Sequence, residues 1–327
     1  MPAFDKIVVV TRKTALEELV ERFNTREQAR FYIEHLGQSF ADYQAAHDTY
    51  HAALKRLKAA LPDGLRSQFV ERGFLPTFLF GPRDLVIALG PDGLVVNAAK
   101  YLEGQPLVGV NPDPSRIDGI LVPWSLDSAQ AALARVLTGI ATVEPVTMAQ
   151  ATLSDGQTLL AVNDLFVGQK THVSARYFLR WREFEERQSS SGIIVSTGAG
   201  STGWLRSILA GAAGVVEGHC EADDATRGLR DDYRFAPGSD HLWFHVREPF
   251  ASRASQAELV CGQIEAGEAL QVVSQMPQNG VIFSDGVESD YLQFDSGTTA
   301  TIGLADRKLQ LVVPTGWGQD ATHTGVQ

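Results

Sequence analysis

The sequence predicts two domains: a doubly wound α/β domain at residues 1–140, followed by a β-rich, sandwich-like domain at residues 141–327. Strand and helix signals alternate over the first 140 residues, an order typical of a mostly parallel sheet with helices on both faces. After Gly139, short strands separated by hairpin turns dominate. A length of 327 residues is enough for two domains of roughly 100–200 residues each.

Hydrophobic periodicity defines the elements of the first domain, which we expect to be Rossmann-like. Isoleucine and valine dominate its first strand, and alanine and leucine at helical spacing give its longest helix a buried stripe. Ser125 and Asp127 are good N-cap residues before the last helix. In chain order the pattern predicts a strand at Lys6–Thr11, helices at Thr14–Phe23 and Thr25–Ala60, weaker strands at Phe69–Val70 and Phe78–Leu79, a strand at Leu85–Leu89, a helix at Leu94–Leu102, a strand at Pro106–Val110 and a helix at Ser128–Leu137.

The second domain is predicted to consist of short strands from Val143 onward. Turn residues at 154–156 (Ser-Asp-Gly) and 284–286 (Ser-Asp-Gly) indicate hairpins. One helix is expected at Thr202–Ala212, and the Gly-, Asp- and Glu-rich stretch from Gly211 to Asp232 is expected to form a mobile loop. We expect a frayed tail from Gly316. The division leaves room for the C-terminal segment to return to the first domain.

Composition excludes several functional classes. With 39 acidic and 28 basic residues the net charge is −11, which argues against sequence-independent nucleic-acid binding. No apolar run approaches the roughly 20 residues of a membrane span, and the N-terminus lacks a signal-peptide pattern. Cys220 and Cys261 lie outside any CxxC motif, so they predict neither a zinc site nor a disulfide framework. The chain is therefore predicted to be cytoplasmic, without nucleic-acid or membrane partners.

A strand-to-helix turn at 90–93 (Gly-Pro-Asp-Gly) is the first candidate site. Such a turn directs backbone N–H groups and the positive end of the helix at one point, which suits a phosphate group. Asp92 adds a carboxylate at that point. Gly and Asp are also common turn formers, so an ordinary structural turn explains the pattern equally well. Arg12 and Lys13 follow the first strand at the same sheet edge and are candidate phosphate contacts or solvated surface charges.

A second glycine-rich turn lies at 197–202 (Thr-Gly-Ala-Gly-Ser-Thr), between an apolar strand and a helix. Its glycines allow close backbone approach, while Ser201 or Thr202 can cap the helix and offer a hydroxyl. An ordinary capped turn is the alternative. A hydrolase nucleophile elbow at Ser201, completed by Asp285 or Asp290 and by His323, is a third interpretation.

The third candidate is Asn163-Asp164, which interrupts an apolar strand pattern. Both side chains can bond vicinal ribose hydroxyls, as acidic residues do in dinucleotide sites, although a β-bulge explains them too. Lys170 and Arg176 add positive charge nearby, and we include Arg176 among the candidate cofactor-binding residues.

These three signals, in this order, resemble the NAD kinase family and, within it, the mitochondrial-type NAD kinases. The resemblance extends from about Lys6 to Pro314. Its further supporting segments are 109–116 (GVNPDPSR), 162–168 (VNDLFVG), 190–192 (SSG), 246–253 (VREPFASR) and the 284–286 hairpin.

The resemblance implies an enzyme that transfers the γ-phosphoryl group of ATP, with Mg²⁺, to the 2′-hydroxyl of the adenosine ribose of NAD. Asp92 would be the general base, and Gly90 and Gly93 would bring backbone close to the triphosphate. Asn163 and Asp164 would hold the NAD ribose. Asn111 would lie at the cleft between the domains, and the residues lining the dinucleotide would be Thr197, Gly198, Ser201 and Thr202. A homodimer built through the β-rich domain is implied, and no metal ligand is predicted on the chain itself.

One departure from the family affects the donor side. The family turn reads Gly-Gly-Asp-Gly-Thr, whereas Pro91 and Leu94 stand in this chain. Proline removes an N–H donor and restricts φ at its own position and at Gly90. Two functions therefore follow: a NAD kinase with an altered donor loop that uses ATP or polyphosphate, or a non-catalytic NAD(P)-binding regulatory protein.

Overall fold

The computed structural model describes residues 4–220, 224–231 and 233–317. The chain divides into two compact units. Unit 1 comprises the described parts of Met1–Glu144 together with Gln310–Thr315, and unit 2 comprises the described parts of Pro145–Leu309 and Gly316–Gln327. No helix within these ranges has both the length and the apolar composition that a membrane crossing requires.

Unit 1 alternates strands and helices. Its elements are β1 (Lys6–Thr11), α1 (Ala15–Phe23), α2 (Arg26–His35), α3 (Phe40–Ala60), β2 (Arg66–Glu71), a 3₁₀ helix (Arg72–Thr77), β3 (Asp84–Leu89), α4 (Asp92–Ala99), β4 (Pro106–Asn111), β5 (Trp124–Ser125), α5 (Leu126–Leu137) and β6 (Thr142–Val146), joined by the last strand of the chain, β19 (Leu309–Val313).

The sheet of unit 1 has the order β2-β1-β3-β4-β19-β6, with β5 beside β4. Strand β1 pairs in parallel with both β2 and β3, and β4 pairs in parallel with β3 and β19. The chain leaves β1 for one side of the sheet and returns to β3 on the other side. Sheets of this kind bind ligands at the carboxyl ends of the strands where the order reverses, here β1 and β3.

Helices cover both faces of this sheet. Alternate residues of β1 and β3, among them Ile7 and Leu85, pack in one buried cluster with Tyr50 and Leu57 of α3 and Leu133 of α5. Because successive side chains of a strand point to opposite faces, the remaining residues of β1 and β3 face the other way. Helix α4 lies against β1, β3 and β4 and is buried from Leu94 to Ala99.

The segment after β4 folds back onto that strand. A Cβ atom added at Gly109 would lie 2.0 Å from the backbone oxygen of Leu121, so only glycine allows this approach. The close passage fixes residues 119–122 beside the sheet edge that carries the 90–93 turn.

Two expectations for unit 1 are wrong. The single helix expected over Thr25–Ala60 is two helices, α2 and α3, because Gly37 takes a left-handed φ of 73° between them. The strand expected at Phe78–Leu79 is absent. The 3₁₀ helix around Pro76 occupies the preceding residues, and the chain is irregular until β3.

Unit 2 is mainly β-structure. Its elements are β7 (Ala149–Leu153), β8 (Thr158–Ala161), β9 (Asp164–Gln169), β10 (Ala175–Trp181), β11 (Phe184–Ser190), β12 (Ile193–Ser196), a 3₁₀ helix (Gly200–Thr202), α6 (Trp204–His219), α7 (Asp224–Asp231), β13 (His241–Val246), β14 (Cys261–Glu265), β15 (Leu270–Ser274), β16 (Gly280–Ser284), β17 (Val287–Gln293) and β18 (Thr299–Leu304).

The strands of unit 2 form two sheets of six, with the orders β11-β10-β15-β18-β7-β8 and β14-β13-β12-β9-β16-β17. One buried cluster draws on both sheets, including Tyr177 and Val272 from the first and Val195 and Phe244 from the second. The two sheets therefore share a core. The hairpins expected at 154–156 and 284–286 are confirmed as the β7–β8 and β16–β17 connections.

The loop expected over Gly211–Asp232 is wrong for its described residues. Helix α6 runs on to His219, and α7 follows at Asp224–Asp231. Ala213 is fully buried, and Arg230 forms an ion pair with Glu217 at 2.6 Å, which links the two helices. The glycines and acidic residues of this stretch indicated a loop. The expectation failed because helix propensity is a weak signal, which packing overrides.

Gly109→Ala should lower the free energy of unfolding by about 1–3 kcal/mol, because the added methyl group overpacks against the Leu121 carbonyl. Urea unfolding measures the change. Gly64→Ala is the matched control, since its Cβ would meet no heavy atom within 4 Å, and it should shift stability by less than about 0.5 kcal/mol. Equal effects of the two changes would contradict the close passage of 119–122 over β4.

Candidate functional site

The 90–93 turn joins β3 to α4 at the point where the strand order reverses. Pro91 is the N-cap of α4, with φ −75° and ψ 171°, and its carbonyl accepts the amide of Leu94 at 2.9 Å. The amide of Gly90 donates to Val110 O at 3.0 Å, which anchors the turn to β4. Asp92 and Gly93, the first two residues of α4, carry amides of the kind that helix N-termini offer to anions.

The Asp92 carboxylate is held by the segment that follows β4. Ile120 donates its backbone amide to Oδ2 and Leu121 donates to Oδ1, both at 3.0 Å. Burial raises the pKa of Asp92 to about 6, although the Leu121, Ile120 and Val122 amides favour the charged form. A Cβ at Gly119 would lie 2.2 Å from Oδ1, so any larger residue there would push the carboxylate out of this position. The result is a positioned carboxylate that ionises close to neutral pH.

The two basic residues after β1 have different surroundings. Lys13 forms an ion pair with Glu21 at 2.6 Å on the surface, which accounts for its charge. Within the described ranges, the Arg12 guanidinium has no ion-pair partner, and its Cδ atom lies 3.6 Å from the position of a Cβ at Gly90. The hydroxyl of Tyr50 accepts the Arg12 amide at 3.0 Å and fixes the backbone there. Arg12 is therefore the cation beside the turn.

A cavity of about 190 Å³ opens beside Arg12 and Pro91 within unit 1. Arg116 also lines this cavity, and its Nε atom lies 4.0 Å from Oδ2 of Asp113. Because Arg116 is paired with Asp113, which also lines the cavity, the guanidinium group that remains for an anionic ligand here is that of Arg12.

Asn111 is buried and uses both ends of its amide within the chain. Its Nδ2 donates to Ile117 O at 2.8 Å, and its Oδ1 accepts the amide of Asp113 at 2.9 Å. The structure gives it a positioning role in the turn after β4. The resemblance-based expectation of a ligand contact stays a prediction.

In unit 2 the Asn163-Asp164 turn is held by a distant carboxylate. Asp285 accepts the backbone amides of Asn163 at 2.7 Å and of Val162 and Asp164 at 3.3 Å. Its own amide donates to Asp164 O at 2.9 Å, and its φ of 57° is left-handed. The sequence indicates Asp285 only as a hairpin residue or a hydrolase acid, and no local signal points to this anchoring role.

Asp164 occupies an unusual environment at the start of β9. Burial raises its pKa to about 7; the Ser196 hydroxyl, which donates to Oδ1, opposes the shift, and the Asp285 carboxylate reinforces it. Ser196, at the end of β12, was also missed. Its position at a strand terminus facing Asp164 in the next strand was the available signal.

The Asn163 side chain is half-buried, and among the described residues no protein group forms a hydrogen bond with it. A carboxyl group and a free amide thus stand next to each other at one strand end. That arrangement can bind a pair of hydroxyls.

The glycine-rich turn packs tightly against its own chain. Cβ atoms at Gly198 and Gly200 would lie 2.0 Å from Ala236 O and 2.2 Å from Asn163 O. The Thr197 amide donates to Asn163 O at 2.9 Å, which places this turn directly beside the Asn163-Asp164 turn. Thr202 is half-buried at the end of the turn. These close approaches explain the glycines without a ligand.

The hydrolase interpretation does not fit this geometry. Ser201 is fully buried, and its hydroxyl donates to Gly198 O at 2.7 Å, so it is not the exposed nucleophile of an elbow. Asp285 holds backbone amides instead of a histidine. His323 lies outside the described residues.

Arg176 does not lie with the other unit 2 candidates in one sheet. It is exposed on β10, paired with Ser189 of β11, whereas Asp164 and Thr197 belong to the β9–β12 region of the opposite sheet. Its proposed part in cofactor binding stays a prediction without geometric support.

The half-buried Asp164, whose pKa is raised, should make stability depend on pH. Its ordinary pKa is 3.8 and its folded value is about 7, so between these values the folded chain holds a proton that the unfolded chain has lost. Stability should therefore fall as pH rises from about 4 to about 7. Asp164→Asn should flatten this slope in urea unfolding.

Ser196→Ala also tests whether Asp164 is the titrating group, by raising its pKa further instead of removing the carboxyl group. It removes a hydrogen bond to the charged form, so the pH-dependent loss of stability should extend to higher pH. A wild-type slope in both variants would show that Asp164 is not the titrating group.

The sequence of this chain is similar to those of several known proteins. No family model matches the chain. The protein named mitochondrial NAD kinase 2 from Rattus norvegicus is 25% identical over 320 residues, covering 76% of this chain and 74% of that protein. The NAD kinase of Chlorobaculum tepidum is 28% identical over 127 residues, covering 38% of this chain and 44% of that protein.

Two solved structures cover 96% of this chain. They are a yeast NADH kinase complexed with NADH, with a TM-score of 0.59, 13% identity and 84% of that chain covered, and an NAD kinase from Archaeoglobus fulgidus in complex with ATP, with a TM-score of 0.56, 16% identity and 96% covered. At these identities they show the fold. The resemblance to the NAD kinase family, including its mitochondrial members, is confirmed.

Proposed function

We propose that the chain is a NAD kinase-like phosphotransferase that moves a phosphoryl group from ATP or polyphosphate to the 2′-hydroxyl of the adenosine ribose of NAD, giving NADP. The observation that supports this most directly is the Asp92 carboxylate at the switch point of the unit 1 sheet, with its pKa raised by burial to about 6. The names of relatives of this chain, mitochondrial NAD kinase 2 and NAD kinase, support the same proposal.

Asp92 is suited to act as the general base. At pH 7 it is largely ionised, and a base with a pKa near the working pH accepts a hydroxyl proton most effectively. Each carboxylate oxygen accepts one of the two closest backbone amides, which leaves a further lone pair on each. The amides thus orient the group without exhausting its capacity to accept a proton.

The donor would bind at the same sheet edge of unit 1. Arg12 and the N-terminus of α4, where Asp92 and Gly93 stand, supply positive charge and amide donors for phosphate oxygens. Gly90 keeps the turn close to Val110. Mg²⁺ would enter with the triphosphate. In the described ranges no three carboxylate, imidazole or thiol ligands converge at this turn, so phosphate oxygens would supply most of its ligands.

NAD would bind to unit 2 at the Asn163-Asp164 turn. Asn163 offers a free amide, and Asp164 offers a carboxyl group that exchanges its proton near pH 7. Thr197, Gly198, Ser201 and Thr202 border this turn and would shape the pocket wall. As the resemblance implies, the active form would be a homodimer built through unit 2.

Pro91 supports an alternative, a non-catalytic NAD(P)-binding regulatory protein. A proline at the N-cap has no N–H to offer a phosphate. Losing one charge-assisted hydrogen bond costs about 1.5–3 kcal/mol, or roughly ten- to a hundredfold in donor affinity. The pKa of Asp92, close to neutral pH, favours the kinase, whereas the hydrogen bonds that its carboxylate accepts from Ile120 and Leu121 would serve a non-catalytic protein equally well.

Asp92→Asn should reduce NADP formation from NAD, Mg²⁺ and ATP or polyphosphate by about 10²–10⁴-fold. An NADP-specific coupled assay measures it. Pro91→Gly should raise activity with ATP by restoring the missing amide donor. Because an asparagine amide would face one of the two backbone donors, unfolding and NAD binding should be measured in parallel. NAD binding without turnover by the wild type, with every donor tried, would contradict the kinase and support the regulatory protein.

Asn163→Ala should weaken NAD binding by about tenfold while leaving stability within about 0.5 kcal/mol of the wild type, because the side chain has no protein partner among the described residues. Calorimetric titration with NAD and with NADH measures both affinities. Gln169→Ala, at the other end of β9, is the matched control and should bind NAD as the wild type does. Unchanged NAD affinity in Asn163→Ala would remove Asn163 from the site.

A further inference from the structure

Three metal-ligating side chains converge between α1 and α3 in unit 1, away from the 90–93 turn along the chain. They are Glu17 on α1 and His47 and His51 on α3. One ligand atom can be taken from each so that all lie within 4.8 Å of one another. The two histidines are four residues apart and therefore share a helix face, with their ring centroids 4.3 Å apart.

Hydrogen bonds already orient these side chains. His51 Nε2 lies 2.9 Å from Glu17 Oε1, while Glu17 Oε2 accepts the Thr14 amide at 2.7 Å as part of the N-terminal capping box of α1. His47 Nδ1 lies 2.9 Å from the Thr14 hydroxyl. A metal ion bound through His47 Nε2 would keep this bond as an outer-shell contact, which fixes the tautomer and the ring plane. Binding through Nδ1 would replace it.

We propose that Glu17, His47 and His51 bind a divalent transition-metal ion of the zinc class. Two imidazole nitrogens and one carboxylate oxygen are a donor set that Zn²⁺ accepts, with a water molecule as fourth ligand. The Glu17 and His51 side chains are 35% and 43% exposed, so an ion in solution can reach them. The proposed site is assigned to neither substrate of the phosphoryl transfer.

A bound ion would join α1 to α3 at the N-terminal end of α1, which Thr14 caps. This end follows directly on Arg12 and Lys13 and the end of β1. The metal would therefore restrain the first loop of the sheet edge, independently of turnover.

The test uses the full chain, freed of any histidine tag and treated with EDTA. Titration with Zn²⁺ by calorimetry, and with Co²⁺ followed by its visible absorption, should each show one ion per chain. His47→Ala and His51→Ala should each weaken binding by at least about tenfold, the lower end of the effect of losing an outer-shell partner. Glu17→Gln, which keeps an oxygen for the Thr14 amide, should also weaken it.

His172→Ala is the matched control because His172 is exposed in unit 2, and it should bind as the wild type does. The wild type supplies a test that does not depend on variant folding: Zn²⁺ should shift the imidazole NMR signals of His47 and His51 and leave that of His172 in place. Absence of binding by the wild type, or undiminished binding by His47→Ala and His51→Ala, would overturn the site. The cluster would then serve only to cap α1 and to join it to α3 through the hydrogen bonds of Glu17 and His47 with Thr14 and of Glu17 with His51.

Discussion

The two hydrogen bonds that the Asp92 carboxylate accepts from Ile120 and Leu121 hold the proposed catalytic turn together. They join the start of α4 to a segment that passes so close to β4 that Gly109 can carry no side chain. The end of β3, the first turn of α4 and residues 119–122 are therefore fixed as one group. A carboxylate in such a position is pre-oriented, so no conformational entropy is lost in aiming it when a substrate binds.

In unit 2 a carboxylate again accepts backbone amides, but here it is not the group proposed to contact the ligand. The Asp285 carboxylate accepts three backbone amides and thereby shapes the Asn163-Asp164 turn. Asp164 accepts the Ser196 hydroxyl and lies close to the Asp285 carboxylate. Burial raises the pKa of Asp92 and of Asp164 into the range of 6 to 7. Asp92 in unit 1 and Asp164 in unit 2 thus each exchange a proton near neutral pH, a property typical of functional sites.

Local sequence patterns predicted helices, strands and turns correctly where a single feature, such as an apolar run or a turn motif, was strong. The apolar run of β3, the N-cap at Ser125 and both Ser-Asp-Gly hairpins are present as expected. The same patterns indicated the candidate turns. They could not show which groups hold those turns, because Asp92 and Ile120 are 28 residues apart and Asn163 and Asp285 are 122 apart. Where packing overrode composition, as in α6 and α7, the sequence indicated a loop instead of helices.

The geometry at Pro91 separates two ways in which a proline could damage a phosphate loop. Pro91 has φ −75°, a value that proline adopts without strain, and Gly90 is not among the glycines with positive φ. Proline at position 91 therefore introduces no backbone strain into this turn. Because Leu94 already donates to Pro91 O, the amides that remain for a phosphate are those of Asp92 and Gly93. Proline at position 91 lacks one hydrogen-bond donor, while Asp92 keeps its hydrogen bonds to Ile120 and Leu121. In the proposed kinase, the effect of Pro91 would therefore fall on donor affinity.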